Sequence, residues 1–439
     1  MGDNLVSVTS RLLLPPRAAV VDSSRSRESA KETAPVQTGD AARGHPGLPD
    51  DLAREVYCIL GMPVDAVDVE SALCRIETAA EQGAPYLIST PNLNFLINSL
   101  SNPEFRKSLM TSDLCTADGM PIVWIARLLG LPFKDRIAGS ALFDALSKRK
   151  ASRKPLRVFM FGGPPGVAEA AGKLLNGRSE TLTCVGSLYP GHGTVEELSD
   201  ARIIDAINAS KADFLVAALG AAKGQSWLMR NRDRLKVPVR SHLGAVINFQ
   251  AGTVQRAPAS MQKAGFEWLW RIKEEPHLWR RYWADAKALV RLLITRVLPL
   301  AVNARLSRHR YAGERHKLRI RMAQTHNSTL LHLSGRASKD DIDAAVGQFR
   351  KALEQTANAL TVDLAGVTTI DPRFLGLLLM LRKAAEERGR TFKLGGATRH
   401  VQRILRLNAI GYTISPVGEN RPEAIFQPSD LPSRRAVRG

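Results

Sequence analysis

Two short polar clusters in this 439-residue chain hold the side chains best suited to chemistry. The first is Thr116-Ala117-Asp118-Gly119-Met120-Pro121, a carboxylate in a small-residue turn ahead of the helical apolar run Ile122 to Leu131. The second, Ser89-Thr90-Pro91-Asn92, closes an apolar segment upstream. Short polar groups at strand ends, each followed by a helix, are how α/β enzymes assemble a site. The same spacing suits plain helix capping, by Asp118 near Pro121 and by Thr90 after Pro91. Gly162-Gly163-Pro164-Pro165-Gly166 follows a strand and opens a helix, a turn able to offer backbone N–H groups to phosphate. The stretch from Gly220 to Trp227 repeats that placement, and its Lys223 can meet a phosphate. Both stretches also read as a tight turn and a surface lysine. No metal constellation appears: the nine histidines lack H-x-x-x-H or Cys/His ligand spacing. Asp341-Ile342-Asp343 reads as a solvated helix start. Neither a metal nor another cofactor is expected.

The elements that would position these groups alternate. Ala84 to Ser89, Leu156 to Phe161, Asp213 to Leu219 and Val237 to Leu243 are strand-like. Helical runs follow Pro91, Gly166 and Gly220. Near-continuous apolar strands alternating with helices predict an α/β fold, a mostly parallel sheet covered on both faces. Its site would lie beyond the carboxyl ends of the strands, where all the polar turns fall.

From about 252 to 322 the character changes. Arg280 to Arg321 holds twelve Lys/Arg against two acidic residues. Leu289, Leu292, Leu293, Val297 and Leu300 recur there at helical spacing, with Arg291 and Arg296 between them. Such a helix either lies on an anionic membrane surface or docks on its own domain with a solvated basic face. A second, small α/β unit begins near 323, and 421–439 reads as a loose tail. Residues 1–48, rich in Ser, Arg, Pro, Ala and Gly, read as a disordered tail.

The net charge of +20 implies an anionic partner: nucleic acid, membrane or phosphorylated substrate. Aromatics are sparse at 6% and not interleaved with the basic residues, which disfavours nucleic acid. The four cysteines show no C-x-x-C spacing and suit a reduced, cytosolic protein. No signal peptide or run of about 18 apolar residues is apparent.

The polar clusters and Gly-rich turns are followed in order by Ala251-Gly252-Thr253-Val254-Gln255-Arg256-Ala257-Pro258, Phe266-Glu267-Trp268-Leu269-Trp270-Arg271 and Glu275-Pro276-His277-Leu278-Trp279-Arg280-Arg281-Tyr282. The ordered series, over about residues 55 to 285, resembles the WecG/TagA/CpsF glycosyltransferases, glycosyltransferase family 26. The resemblance implies a Rossmann-like core at 49–251 and a basic helical appendage at 252–322. It also implies inverting, metal-independent transfer of a sugar such as N-acetylmannosamine or mannosaminuronic acid. The donor would be a UDP-sugar and the acceptor polyprenyl-diphosphate-linked, at the cytoplasmic membrane face, in bacterial exopolysaccharide or envelope polysaccharide assembly. Asp118 matches the family's proposed general base, which takes the acceptor hydroxyl's proton. Thr90 matches its essential threonine, with Asn92 beside it to position substrate. Arg256, Arg271, Arg280 and Arg281 are candidates to hold the diphosphate. Gly162, Gly163, Gly220, Lys223 and Gln225 complete the expected substrate-binding set. The chain departs from the family pattern at Ala222, Gly224 and Gln225, where Pro, Gln and Glu are usual, and at Ile247-Asn248-Phe249, where Phe-Asp-Phe is usual.

The unit at 323–420 resembles a STAS domain. Val362 to Asp371 looks like the strand before that family's phosphorylation site and Leu375 to Leu378 like the helix after it. Asp371-Pro372-Arg373-Phe374 lacks the hydroxyls of the usual Asp-Ser-Ser/Thr-Gly, so a docking role toward a protein partner is expected rather than a phosphoserine switch. The alternative for the whole chain is a catalytically inactive nucleotide-sugar-binding regulator acting through this unit.

Overall fold

The computed structural model describes residues 46–133, 135–149, 154–310, 317–325, 327–413 and 425–426. The expected tails lie almost wholly outside them. The described chain opens with a hairpin, β1 (Val56–Ile59) and β2 (Met62–Asp65). Leu60 and Gly61 both take positive φ at its two-residue turn, the twist a tight hairpin needs.

After α1 (Val69–Gln82), six parallel strands build the main sheet: β3 (Tyr86–Ser89), β4 (Leu114–Cys115), β5 (Leu156–Gly162), β6 (Leu182–Leu188), β7 (Phe214–Ala218) and β8 (Val239–His242). Their order is β4-β3-β8-β7-β5-β6. The helices between are α2 (Leu93–Ser101), α3 (Pro103–Met110), α4 (Met120–Leu128), α5 (Gly139–Lys148), α6 (Val167–Asn176), α7 (Ala201–Ala209) and α8 (Ala221–Arg230), with α9 (Val246–Ala251) after β8. The α/β expectation holds. Strand β4 has only two residues, and β6 is an edge strand of mostly partial burial, so neither carries a continuous apolar run. One face of the sheet packs Ile88, Phe143, Val158, Phe214 and Val239 into a core. The other packs Phe161, Leu215 and Trp227.

Next come α10 (Ala259–Ala264), α11 (Glu267–Glu274), α12 (Trp279–Leu292), a π-helical turn (Leu293–Val297) and α13 (Leu298–Arg310). The stripe singled out from periodicity faces inward: Val297 and Leu300 are buried, and Leu289, Leu292 and Leu293 pack against the same core. That stripe is therefore a docked face. A second stripe lies outside it. Trp283, Val290, Ile294, Leu298, Val302 and Leu306 are between 47% and 63% exposed, at spacings of mostly four residues. An α-helix rotates such a repeat out of line, and the wider π turn slows that drift.

The remaining unit has a four-stranded sheet ordered β12-β11-β10-β9, from β9 (Arg319–Gln324), β10 (Ser328–Ala337), β11 (Ala359–Ile370) and β12 (Thr391–Gly395). Only β9 runs antiparallel to its neighbour. Its helices are α14 (Ile342–Glu354), α15 (Pro372–Glu387) and α16 (Arg399–Leu407). Twelve of the sixteen residues of α15 are buried, because it is covered on two sides. One side is its own sheet; the other is β1. A Cβ added at Gly376 would stand 2.0 Å from the Val56 carbonyl oxygen, so only glycine permits this approach. Arg373 donates to the carbonyls of Val56 and Arg54, at 3.2 Å each. One continuous core then runs from Ile122 in α4 through Leu300 in α13 to Val362 and Phe374.

Candidate active site

The chain from β3 runs outward to β4. The chain from β8 turns to α9, which packs against α6 and α5. The connections thus diverge between adjacent strands β3 and β8, and a crevice opens beyond their carboxyl ends. Asp118 and Thr90 stand there. The Asp118 N–H donates to the Pro91 carbonyl at 2.9 Å, and Thr116 N–H to Ser89 at 3.0 Å. Ile137 N–H donates to Ala117 at 2.9 Å, and the Thr116 hydroxyl to the Ile137 carbonyl at 2.9 Å. These four bonds stitch the two polar clusters to the segment that opens α5.

Neither residue caps as local spacing suggested. The N-cap of α4 is Gly119, with φ 101° and no side-chain bond, and that of α2 is Asn92, whose Oδ1 accepts from Phe95 N–H at 3.2 Å. Among the described residues, the Thr90 hydroxyl has no hydrogen-bond partner. Gly139 leaves room for it: a Cβ there would lie 3.1 Å from Thr90 Oγ1 and 2.4 Å from Leu243. The Asp118 carboxylate instead meets the N–H of Gly139, at the positive end of α5.

The electrostatics at Asp118 are mixed. Burial lifts its carboxyl to about 6, Arg136 opposes the rise, Glu267 adds to it, and the Gly139 N–H and Arg256 oppose it. A carboxylate poised near neutrality suits a general base. Arg136 and Glu267 form an ion pair that ties the core to α11 of the appendage. Arg136 carried no motif signal in the sequence; only the fold brings it to Asp118. Its pairing sets a pH prediction. Glu267→Gln removes a negative neighbour of Asp118 and frees Arg136. The acid limb of kcat/KM should then move from about 6 to lower pH. A pH profile with an unmoved or raised limb would disprove that Asp118 controls it.

The other expected residues divide. Arg256 joins the site: it acts on Asp118, its Nη1 meets Asp144 at 3.5 Å, and its buried Nε lacks a partner among the described residues. Arg271 pairs with Glu275 at 2.7 Å and stacks 5.5 Å over Phe249. Arg280 and Arg281 are exposed on α12, each over an aromatic ring beside it, Trp279 and Tyr282. Gly162, Gly163 and Gly220 turn the chain at the ends of β5 and β7, all with positive φ, and Gly163 N–H donates to Ala218 at 2.9 Å. Lys223 is exposed and donates to the Gly193 carbonyl at 2.8 Å. Gln225 is fully buried, its Nε2 donating to Ser89 Oγ at 2.9 Å.

His242, at the end of β8, is a further residue of this edge. A Cβ at Gly224 would lie 2.1 Å from its ring, so the glycine that departs from the family pattern makes its space. Burial pushes the imidazole down to about 4, which keeps it neutral at physiological pH.

Residues 320–412 match the Mlab, STAS domain. The unphosphorylated anti-sigma factor antagonist SpoIIAA aligns with 20% of this chain and 78% of its own, at 13% identity and a TM-score of 0.19. An N-acetylglucosaminyldiphosphoundecaprenol N-acetyl-beta-D-mannosaminyltransferase of Bacillus spizizenii is 28% identical over 242 residues, covering 52% of this chain and 88% of the relative. A protein of the same name from Staphylococcus aureus is 25% identical over 225 residues, covering 51% and 85%. Residues 57–301, more than half of the chain, match the glycosyl transferase WecG/TagA/CpsF family, and the chain belongs to that family of glycosyltransferases.

Proposed function

We propose that this glycosyltransferase moves a hexose, N-acetylmannosamine or a relative of it, from a UDP-sugar to a lipid-diphosphate-linked sugar. The transfer inverts the anomeric centre, needs no metal ion, and serves bacterial exopolysaccharide or envelope polysaccharide assembly. The observation that carries this reading is Asp118: a carboxylate held near 6 at the head of α5, with the charges of Arg136 and Arg256 acting on it. Asp118 takes the proton of the acceptor hydroxyl as that oxygen attacks the anomeric carbon. The bond from this carbon to the UDP oxygen breaks, and the departing diphosphate takes the electron pair. Arginine guanidinium groups balance the developing charge, and of the expected four it is Arg256 whose charge acts on Asp118. The names of the two mannosaminyltransferase relatives support the acceptor class and the transferred sugar. The inactive-regulator reading drew on Gln225, but that amide is buried against Ser89. The test is UDP release by the purified chain with a panel of UDP-sugars and a short-chain lipid-diphosphate sugar. Release that depends on the acceptor is expected with one donor; binding of UDP-sugars without release would overturn the assignment.

The acceptor is a lipid, and the outer stripe of α12 and α13 fits a membrane surface. Lys287, Arg291 and Arg305 are exposed along the same helices as its apolar side chains. No helix among the described residues is long and apolar enough to cross a membrane. The basic and apolar stripe supports the reading that the protein binds peripherally to the cytoplasmic face. Val290→Asp with Ile294→Asp should reduce co-sedimentation with anionic vesicles at least about tenfold, from the apolar area withdrawn. Undiminished sedimentation would sink the membrane role of this face.

A further inference from the structure

A cavity of about 520 Å³ opens where the transferase core, the appendage and the STAS domain meet. Its volume suits a small organic ligand. The loop after α4 supplies Leu129 and Leu131, α13 supplies Leu300 and Ala304, and the STAS domain supplies Ile370 and Ile404. These walls are apolar. The polar end is formed by Arg336, at the end of β10, and Lys339, just beyond it. Among the described residues, neither the Arg336 guanidinium nor the Lys339 ammonium has an ion-pair or hydrogen-bond partner.

The neighbouring charges leave these two cations available. Asp371 is committed to backbone donors: its carboxylate accepts from Phe374 N–H at 2.8 Å and Lys339 N–H at 2.7 Å. It therefore closes the N-terminus of α15. Arg373 is committed to the Val56 and Arg54 carbonyls. Asp340 is exposed at the rim. What remains is an apolar chamber with two cations at one end that make no ion pair or hydrogen bond among the described residues, although the Arg336 charge also acts on Asp371.

We infer that this cavity binds a phosphorylated amphiphile, with an apolar body against Leu129, Leu300 and Ile404 and a phosphoryl head on Arg336 and Lys339. A guanidinium fork and an ammonium together match a phosphate oxygen set, and the apolar walls reward a hydrocarbon body. The site stands on its own geometry, independent of the sugar transfer proposed above. Its occupant touches α13 on the face opposite the outer stripe, and so would join appendage to STAS domain.

The test uses the full chain and dihexanoyl phosphatidic acid kept below its micellar concentration. Hydrogen exchange should slow in 300–307 and 336–340 together, saturating at one molecule per chain. Dihexanoyl phosphatidylcholine, with the same body and a neutral head, should bind at least about tenfold more weakly, as should Arg336→Gln with Lys339→Gln. Hexanoate tests whether a carboxylate substitutes for the phosphoryl head, and equal affinity would overturn that part of the assignment. Protection on α12 and α13 with none at 336–340 would place the lipid on the outer stripe and overturn the cavity site. Ala304→Phe fills the chamber without touching either cation; unchanged binding in this variant would also overturn it.

Discussion

Asp118→Asn should lose nearly all sugar transfer while making the fold more stable. Removing a general base lowers turnover by about 10²–10⁴-fold. The stability gain follows from the sign of its titration. Burial holds the folded carboxyl at about 6, above its ordinary 3.8. Below 3.8 both folded and unfolded states are protonated and no cost arises. As pH rises from 3.8 to 6 the unfolded chain ionises while the folded one holds its proton, and stability falls; above 6 the full cost persists. At pH 7.5 the ionised group therefore costs up to ~3 kcal/mol, less what partial solvent contact recovers. An amide occupies the same space, still accepts from the Gly139 N–H and carries no charge. Thermal unfolding should show the Asp118→Asn variant more stable than the parent at pH 7.5 and close to equal near pH 4. Turnover within tenfold of the parent would remove Asp118 from its role; a less stable variant would show that the carboxylate is not under strain. Function and stability pulling apart at one residue is the pattern of a built site.

The two clusters that hold Asp118 and Thr90 were legible in the sequence as short polar residues at the ends of apolar strands, although the same spacing also suits helix capping. The parallel sheet was legible from runs such as Phe214–Ala218, buried on both faces. What the sequence hid is what depends on distant partners. Arg136 sits in an unremarkable charged turn, and only the bond from Ile137 N–H to Ala117 brings it to the site. His242 needed a glycine eighteen positions earlier to make its space. The helices from 279 to 310 misled because they are apolar on two faces. The periodic stripe through Val297 and Leu300 is buried, and the exposed one, repeating every four residues, departs from the helical period. Arg373 shows the same limit. Its identity argued against a phosphoserine switch, but nothing local announced that it would reach the carbonyls of β1.

Lys383→Met should destabilise the transferase core and the STAS domain together, by ~3–5 kcal/mol, towards the lower end because Asp113 keeps 26% side-chain exposure. Lys383 lies in α15, almost fully buried, 2.7 Å from Asp113 and 2.9 Å from Asp51. Burial alone would lower its pKa, yet Asp113 and Asp51 hold it above the usual 10.5, so its contribution persists until alkaline pH. The pairing extends inward. Asp51 also meets Arg54 at 2.9 Å, and the buried Arg54 meets Asp65 at 2.8 Å. Asp65 in turn accepts from Cys115 N–H at 2.7 Å. Asp113 accepts from Leu87 N–H at 2.8 Å while its own N–H donates to the Leu87 carbonyl. Strands β3 and β4, which deliver Thr90 and Asp118, are thus fastened through groups that one lysine of the STAS domain neutralises. Methionine fills a similar volume and removes the charge, leaving Asp51 to share Arg54 with Asp65 and Asp113 without its ion pair to Lys383. Denaturant unfolding should remain one transition, shifted as a whole, because α15 and β1 share a core. Adding Asp113→Asn to Lys383→Met should restore part of the loss, since it withdraws one of the unpaired charges. A shift below about 1 kcal/mol, or two separate transitions with only the STAS domain weakened, would show instead that the domain is an appendix and that the strands stand without it.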